Sequence, residues 1–202
     1  MSSKNTFIGA TIMSSELMDR IGTYWDENKH NAQKGRSAGD LYTKESMDLN
    51  ISVDNFSEPW GDYRKQLQVC LDNYFKEYPE SDTLQNTFNI HENYNLQWYA
   101  KGGGFKSWHL ENDGNLASIH RHLVFMTYVD DVPNAGTCFK YQEMTTSCQK
   151  GLTLIWPAGW THTHKGQITE DHEKRIVTGW WNYSEMFKTS YEILNKTKDK
   201  IA

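Results

Sequence analysis

Asn95-Leu96-Gln97-Trp98-Tyr99-Ala100-Lys101 and Phe105-Lys106-Ser107-Trp108-His109-Leu110 are two short β-rich stretches hinged on a glycine triplet, Gly102-Gly103-Gly104. The same rhythm runs from about residue 85 to 182. Stretches at 86–92, 95–101, 105–110, 119–129, 137–141, 151–156, 161–164 and 174–182 alternate with turn chemistry such as Asn112-Asp113-Gly114-Asn115, Asp130-Asp131-Val132-Pro133-Asn134 and Pro157-Ala158-Gly159. Many short strands at close spacing predict a β-barrel or jelly roll.

Outward from this core the periodicity changes. Ser14-Ser15 offers a helix cap, and Leu17, Met18, Ile21, Tyr24 and Trp25 follow at helical spacing. The polar run 27–48 has no clear period and reads as a loop. A stronger helical pattern joins Tyr63, Leu67, Cys70, Leu71, Tyr74 and Phe75, opened by Ser57-Glu58-Pro59 and stopped by Pro79. Both helices are expected to cover one face of a sheet. Met186, Phe187, Tyr191 and Leu194 predict a closing helix, with a lysine-rich tail that frays. The expected organisation is one domain over 1–202: helical support in 1–80, a β core in 85–182, and a C-terminal helix and tail in 183–202. The class is mainly β with flanking helices, α+β.

Composition narrows the function. The 202 residues are 23% charged and 13% aromatic, with eight Trp and eleven Tyr, which argues against global disorder. A net charge of −5 argues against broad nucleic-acid binding, although a local basic patch stays open. No apolar run of about 18 residues predicts a membrane span. The N-terminus lacks the pattern of a signal peptide. Cys70, Cys138 and Cys148 are odd in number and not closely paired, so neither a disulfide framework nor a thiolate zinc cage is expected. A reducing cytoplasm is the expected setting. Oligomeric state is not legible.

Chemistry enters at Trp108-His109-Leu110-Glu111-Asn112-Asp113. In extended chain, residues two apart share a face, so His109 and Glu111 present an imidazole beside a carboxylate. Thr161-His162-Thr163-His164 places two more imidazoles on one face. Two His and one carboxylate with open positions form the facial set of non-heme Fe(II) oxygenases. Asp113 shares the Glu111 face as a rival ligand, and His162 competes with His164. Lys174 opens the apolar stretch Lys174-Arg175-Ile176-Val177-Thr178-Gly179-Trp180. A lysine buried there wants an anion, while Arg175 points to the other face. His120 and His122 alternate on the face of Tyr128, within reach of a substrate or simply on the rim. His30, His91 and His172 read as surface residues, and Trp156, Trp160 and Trp181 as packing.

These stretches together resemble a known family. Residues Leu96 to Glu111 resemble the LxxYxxGxxYxxHxD entry motif of prolyl 4-hydroxylase-like 2-oxoglutarate/Fe(II) dioxygenases. Leu123 to Phe139, with Tyr128, Gly136 and Thr137, resembles that family's YLNDVxxGGxTxF stretch. Lys150-Gly151, Pro157, His164, Lys174 and Trp180 follow in the family's order, and the match spans about 94–182. Gly151-Leu152-Thr153-Leu154-Ile155-Trp156-Pro157 and Trp160-Thr161-His162-Thr163-His164-Lys165-Gly166 are similar to a branch met in marine phages and bacteria.

The resemblance implies a double-stranded β-helix barrel, jelly-roll or cupin-like. It implies His109, Glu111 and His164 as iron ligands, although the family's usual carboxylate is Asp. The ten residues from His164 to Lys174 match the family's spacing to the cation that holds 2-oxoglutarate, which favours His164 over His162. Tyr99 and Tyr128 match positions lining the cosubstrate pocket. Arg121 matches the substrate mouth, with His122, Trp180 and His162 as further substrate-side candidates. The implied cofactors are Fe(II), 2-oxoglutarate and dioxygen, with ascorbate as an accessory reductant. The implied activity is hydroxylation of a prolyl or other peptidyl residue, or of a free amino acid or small molecule. Two other readings stay open: a catalytically silent barrel that binds metal or ligand in a regulatory or structural role, and a Zn(II) hydrolase using the same ligands.

Overall fold

The structure, a computed structural model, describes residues 5–35, 43–82 and 87–198. The middle of the 27–48 run, the first residue of the 86–92 stretch and the tail beyond 198 lie outside them. In chain order the described elements are β1 (Gly9–Ile12), α1 (Ser15–Asn28), β2 (Gln33–Lys34), β3 (Lys44–Glu45), β4 (Met47–Ile51), α2 (Trp60–Glu77), β5 (Phe88–Asn89) and β6 (Tyr94–Tyr99). Then come β7 (Gly104–Phe105), β8 (Arg121–Tyr128), β9 (Thr137–Phe139), β10 (Met144–Thr145), β11 (Leu152–Pro157), β12 (His164–Gly166), β13 (Lys174–Tyr183) and α3 (Ser184–Lys198). No described helix is long and apolar enough to cross a membrane.

The large sheet has the order β1-β11-β8-β13-β6-β4-β2, with β5 paired to the end of β13. Opposite it lie the small sheet β10-β9-β12 and the β3-β7 ladder. Strand alternation then sorts the residues. Leu49, Ile51, Tyr94, Leu96, Leu123, Phe125, Ile155, Val177 and Trp181 face the helices, where Leu17, Met18, Ile21, Trp60, Tyr63, Leu67 and Leu71 cover them. Tyr99, Val124, Met126, Tyr128, Leu154, Trp156 and Ile176 face inward and meet Phe139 of the small sheet. Two facing antiparallel sheets with helices on one outer face make the double-stranded β-helix.

The helices form where the sequence predicts. Ser14 caps α1, its hydroxyl accepting from Leu17 N–H at 3.2 Å, and α2 ends just before Pro79. Arg175 faces the helices, as expected. It pairs with Asp130 and donates to Gly22 O of α1 at 3.1 Å. The first eighty residues are more than helical support, however. They also supply β1, β2 and β4 to the large sheet and β3 to the opposite ladder. The 27–48 run is therefore not wholly loop. Met47, Leu49 and Ile51 alternating with Asp48 and Asn50 is a strand pattern hidden at the end of a polar run.

Close packing at the centre explains Gly179 on β13. A Cβ there would sit 2.5 Å from Phe125 Cζ and 2.6 Å from Tyr94 Cβ. Gly179→Ala is expected to cost about 1–3 kcal/mol of stability by overpacking. Thermal unfolding should register this as a drop of roughly 2–4 °C per kcal/mol.

Candidate metal centre

After β7 the chain runs along the edge of β12. His109 N–H donates to His164 O (3.0 Å) and His164 N–H to His109 O (2.9 Å). This bridge sets the imidazoles side by side, with ring centroids 4.2 Å apart. Phe105 stacks on His109 at 3.5 Å, and Trp156 meets His164 edge-on. Two residues on, Glu111 N–H is held by Ala158 O, and the carboxylate turns in. Glu111 Oε1 lies 3.4 Å from His109 Nε2 and 3.6 Å from His164 Nε2. One ligand atom from each residue falls within 4.8 Å of the others, the one such group of three found among the described residues.

The backbone also fixes the tautomers. His109 Nδ1 faces Ser107 O at 3.1 Å, and His164 Nδ1 faces His162 O at 2.8 Å. A carbonyl only accepts, so each Nδ1 carries a proton, and each Nε2, aimed at Glu111, donates to the carboxylate when protonated and offers a lone pair to a metal when not. Burial pushes the Glu111 carboxyl up, but hydrogen bonds and charge from His109 and His164 outweigh it and hold the group well below the usual carboxylate range. Burial also lowers His164, with Glu111 pulling in the opposite direction. A carboxylate and two imidazoles whose Nε2 atoms converge on it fit a divalent ion such as Fe(II), which would take the place of any Nε2 proton.

A glutamate in place of the usual aspartate is taken up by its own supports. Glu111 Oε2 accepts from Trp180 Nε1 at 3.0 Å and faces Arg121 Nη1 at 3.4 Å; Arg121 Nη1 also donates to Glu111 O at 3.1 Å. Arg121 lies 3.5 Å over the Trp180 ring and is itself gripped by Glu92 through Nε (3.0 Å) and Nη2 (2.8 Å). Oε2 is thus spent on the protein, while Oε1 is turned to the imidazoles. Partners that orient a ligand typically matter 10–100-fold in metal affinity. Trp180→Phe removes only the N–H and is expected to weaken Fe(II) or Mn(II) binding about tenfold by titration.

The three groups open onto a cavity of about 840 Å³, lined also by Tyr99, Tyr128, Lys174, Arg121 and Trp180. Lys174 is 4% exposed and, among the described residues, donates only to Ala135 O (2.6 Å) and Gln167 O (3.2 Å). Among the described residues no carboxylate lies within ion-pair distance of it, and burial lowers its pKa. The expected anion is therefore not supplied by the described chain. Tyr99 OH donates to Gln97 Oε1 (2.6 Å), and Tyr128 OH lies 2.7 Å from Thr137 Oγ1 and 2.9 Å from Thr146 Oγ1. Burial raises both phenols, so they remain protonated.

Two substrate-side expectations are corrected. His122 does not line the cavity. Its Nε2 meets Ser81 O at 2.8 Å and its Nδ1 meets Tyr183 OH at 2.8 Å. A register shift between Trp181 and Asn182 pairs Trp181 with Leu123 and Asn182 with Arg121. Such a bulge leaves one residue unpaired and exchanges faces, so Arg121 enters the cavity instead. His162 is 3% exposed and lies in a 3₁₀ turn, not in extended chain. Its Nε2 meets Thr6 O at 3.0 Å, and only its carbonyl serves the site, through His164 Nδ1.

The rival ligand Asp113 is engaged by Ser118 and by the Asn115 N–H, inside its own turn. His120 is likewise occupied, with Asn182 and Glu92. Glu92, Lys44, Asp48, Asn95 and Gln97 also meet at the site or its cavity, and no motif in the sequence marks them. The first lies just before β6, and the others lie on strands whose polar positions look solvent-facing until the barrel closes.

No protein-family model matches the sequence, and no curated protein matches it. In fold, the chain is similar to prolyl hydroxylases. A prolyl-4-hydroxylase from Pseudomonas putida superposes with a TM-score of 0.64 at 10% identity, over 87% of this chain and 91% of that one. A viral collagen prolyl hydroxylase from Paramecium bursaria Chlorella virus-1, solved with 2-oxoglutarate, gives 0.65 at 13% identity, over 90% and 98%. A Trichoplax adhaerens prolyl hydroxylase, solved with a hypoxia inducible factor oxygen degradation domain peptide, gives 0.68 at 11% identity, over 92% and 88%. The likeness reaches across nearly the whole chain, and the His109–Glu111–His164 triad is intact within it.

Proposed function

We propose that the chain is an Fe(II)- and 2-oxoglutarate-dependent dioxygenase that hydroxylates a prolyl or other peptidyl residue, or a free amino acid. One observation carries this reading: a His–Glu–His donor set and a buried lysine without a carboxylate partner among the described residues open onto one cavity. A zinc hydrolase has use for the first feature but none for the second. Bound Fe(II) with 2-oxoglutarate and dioxygen supplies the oxidising chemistry, in which 2-oxoglutarate goes to succinate and CO2 as substrate C–H becomes C–OH.

The residues do the rest. His109, Glu111 and His164 would hold the ion. Lys174 would hold the distal carboxylate of 2-oxoglutarate through a charge-assisted hydrogen bond. Met126, Tyr128 and Ile176 wall the space around it and limit water. Arg121 and Trp180 keep Glu111 in place at the mouth. A reducing cytoplasm, the setting expected from the cysteines, keeps such an ion ferrous. The peptide bound to the Trichoplax protein supports a peptidyl substrate.

The test is succinate release with Fe(II), 2-oxoglutarate and ascorbate, run against peptides and free amino acids. Substrate-stimulated succinate with a matching mass gain of one oxygen is expected. Well-folded protein that binds iron but never consumes 2-oxoglutarate would point instead to a silent binding module.

A further inference from the structure

One wall of the cavity is more polar than the proposed chemistry requires. Lys44 on β3, Asp48 on β4, and Asn95 and Gln97 on β6 all line it. Lys44 is 6% and Gln97 5% exposed. Lys44 Nζ donates to Asp48 Oδ2 at 2.7 Å, Gln97 Nε2 donates to the same oxygen at 3.3 Å, and Ser46 Oγ donates to Asp48 Oδ1 at 2.7 Å. Replacing a buried pair of this kind with apolar side chains is often neutral or stabilising by about 1–4 kcal/mol. Folding alone therefore gives weak reason to gather these groups on an inner barrel wall.

A count of donors and acceptors shows what the wall can take. An ammonium has three N–H donors and a side-chain amide has two. Lys44 spends one on Asp48. Gln97 spends one on Asp48, and its oxygen is taken by Tyr99 OH. Asn95 accepts from Asn50 through Oδ1 at 3.3 Å and, among the described residues, spends neither N–H. Spare donors therefore outnumber spare acceptors, the balance that suits a carboxylate. Asp48 beside them supplies an anion for an ammonium group.

The position of the wall separates it from the cosubstrate end. β6 lies between the two lysines: Tyr99 pairs with Lys174 on one side, while Gln97 pairs with Asp48 on the other. A dicarboxylate cosubstrate needs one cation for its far end, and Lys174 meets that need. Lys44 is a second buried cation on the same cavity. At about 840 Å³ that cavity is near the top of the roughly 300–1,000 Å³ span of small-molecule pockets. We infer that Lys44, Asp48, Asn95 and Gln97 form a subsite for the charged end of a free α-amino acid, its carboxylate on Lys44, Gln97 and Asn95 and its ammonium on Asp48. This rests on the dioxygenase reading and chooses within it, because a residue inside a polypeptide carries neither charge.

Titration calorimetry on full-length protein loaded with Mn(II) and 2-oxoglutarate tests the subsite. The probes are the protein L-amino acids, each also as its N-acetyl amide, and a proline-containing peptide. At least one free amino acid is expected to bind, with its capped form at least about tenfold weaker. Lys44→Met should weaken that binding by about 10- to 100-fold, yet it strands Asp48 and endangers folding. Asn95→Asp keeps the shape and the acceptor for Asn50 while setting a negative charge against the carboxylate, and a loss of about tenfold is expected. Both variants should hold 2-oxoglutarate within about twofold of the parent. Equal binding of free and capped forms, binding by the peptide alone, no binding by any free amino acid, or indifference to Asn95→Asp would overturn the inference. Failure of the parent to take up 2-oxoglutarate sinks the dioxygenase reading separately. The amino-acid titration then runs on metal-free protein, where a free amino acid lost in Asn95→Asp still supports the subsite and no binding overturns it.

Discussion

His164→Ala is expected to abolish metal binding and with it all 2-oxoglutarate turnover. His164 is 6% exposed, its Nδ1 is anchored on a backbone carbonyl, and its Nε2 meets Glu111 Oε1 beside His109. Its removal leaves two donors where a stable site needs three. Loss of a partner that only orients a ligand typically costs 10–100-fold in affinity, so loss of the ligand should exceed about 100-fold. In an anaerobic titration of the parent with Fe(II) and 2-oxoglutarate, a weak visible charge-transfer band should grow. In His164→Ala the band should be missing although the protein remains folded by near-ultraviolet circular dichroism. His162→Ala is the matched control. Its imidazole faces Thr6 O outside the cavity and its carbonyl survives the substitution, so metal binding should persist. A band that survives in His164→Ala and disappears in His162→Ala would reassign the third ligand.

Lys174→Met should separate function from stability. Binding of 2-oxoglutarate should weaken by about 10- to 100-fold, the worth of a charge-assisted hydrogen bond of about 1.5–3 kcal/mol. The metal-free fold, by contrast, should gain. A buried ammonium without an anion costs several kcal/mol. Against that stand the two hydrogen bonds to Ala135 O and Gln167 O, each of which leaves a carbonyl open when lost. The desolvation cost of the ammonium is expected to outweigh them. A net gain of about 1 kcal/mol is expected, a rise of about 2–4 °C in the unfolding midpoint.

The pH dependence has a definite sign. Burial lowers the Lys174 pKa from its ordinary 10.5, so between the lowered value and 10.5 the unfolded chain binds more protons at this site than the folded one. Stability contributed by this group therefore rises with pH through that window. The parent should show this rise in metal-free unfolding experiments, and Lys174→Met should lack it. A variant that binds 2-oxoglutarate normally would remove Lys174 from the site.

The elements the sequence reveals are those whose pattern is local. Helix α2 shows through Tyr63, Leu67, Cys70, Leu71 and Tyr74, all buried against the sheet. β8 and β13 show as apolar runs because both their faces are covered, by helices on one side and by the opposite sheet on the other. β4 is obscured because Asp48 and Asn50 are polar: Asp48 faces a cavity and not a packed core, and Asn50 is exposed. The expected extended run at 161–164 is a 3₁₀ turn followed by a strand, which turns His162 out of the site.

The Glu111 question divides along the same line. Sequence alone determines that an imidazole and a carboxylate stand two residues apart, that another imidazole lies ten residues before a lysine, and that the strands between them are barrel strands. Those facts depend on alternation and spacing, which are properties of neighbours in the chain. Only the tertiary structure decides that the His109–His164 bridge brings the donors together. It also decides that a bulge in β8 at His122 sends Arg121 and not His122 into the cavity, and that Trp180, Arg121 and, behind it, Glu92 take up the extra reach of a glutamate. Each of these depends on residues tens of positions apart meeting through sheet closure, and no local pattern encodes which of them meet.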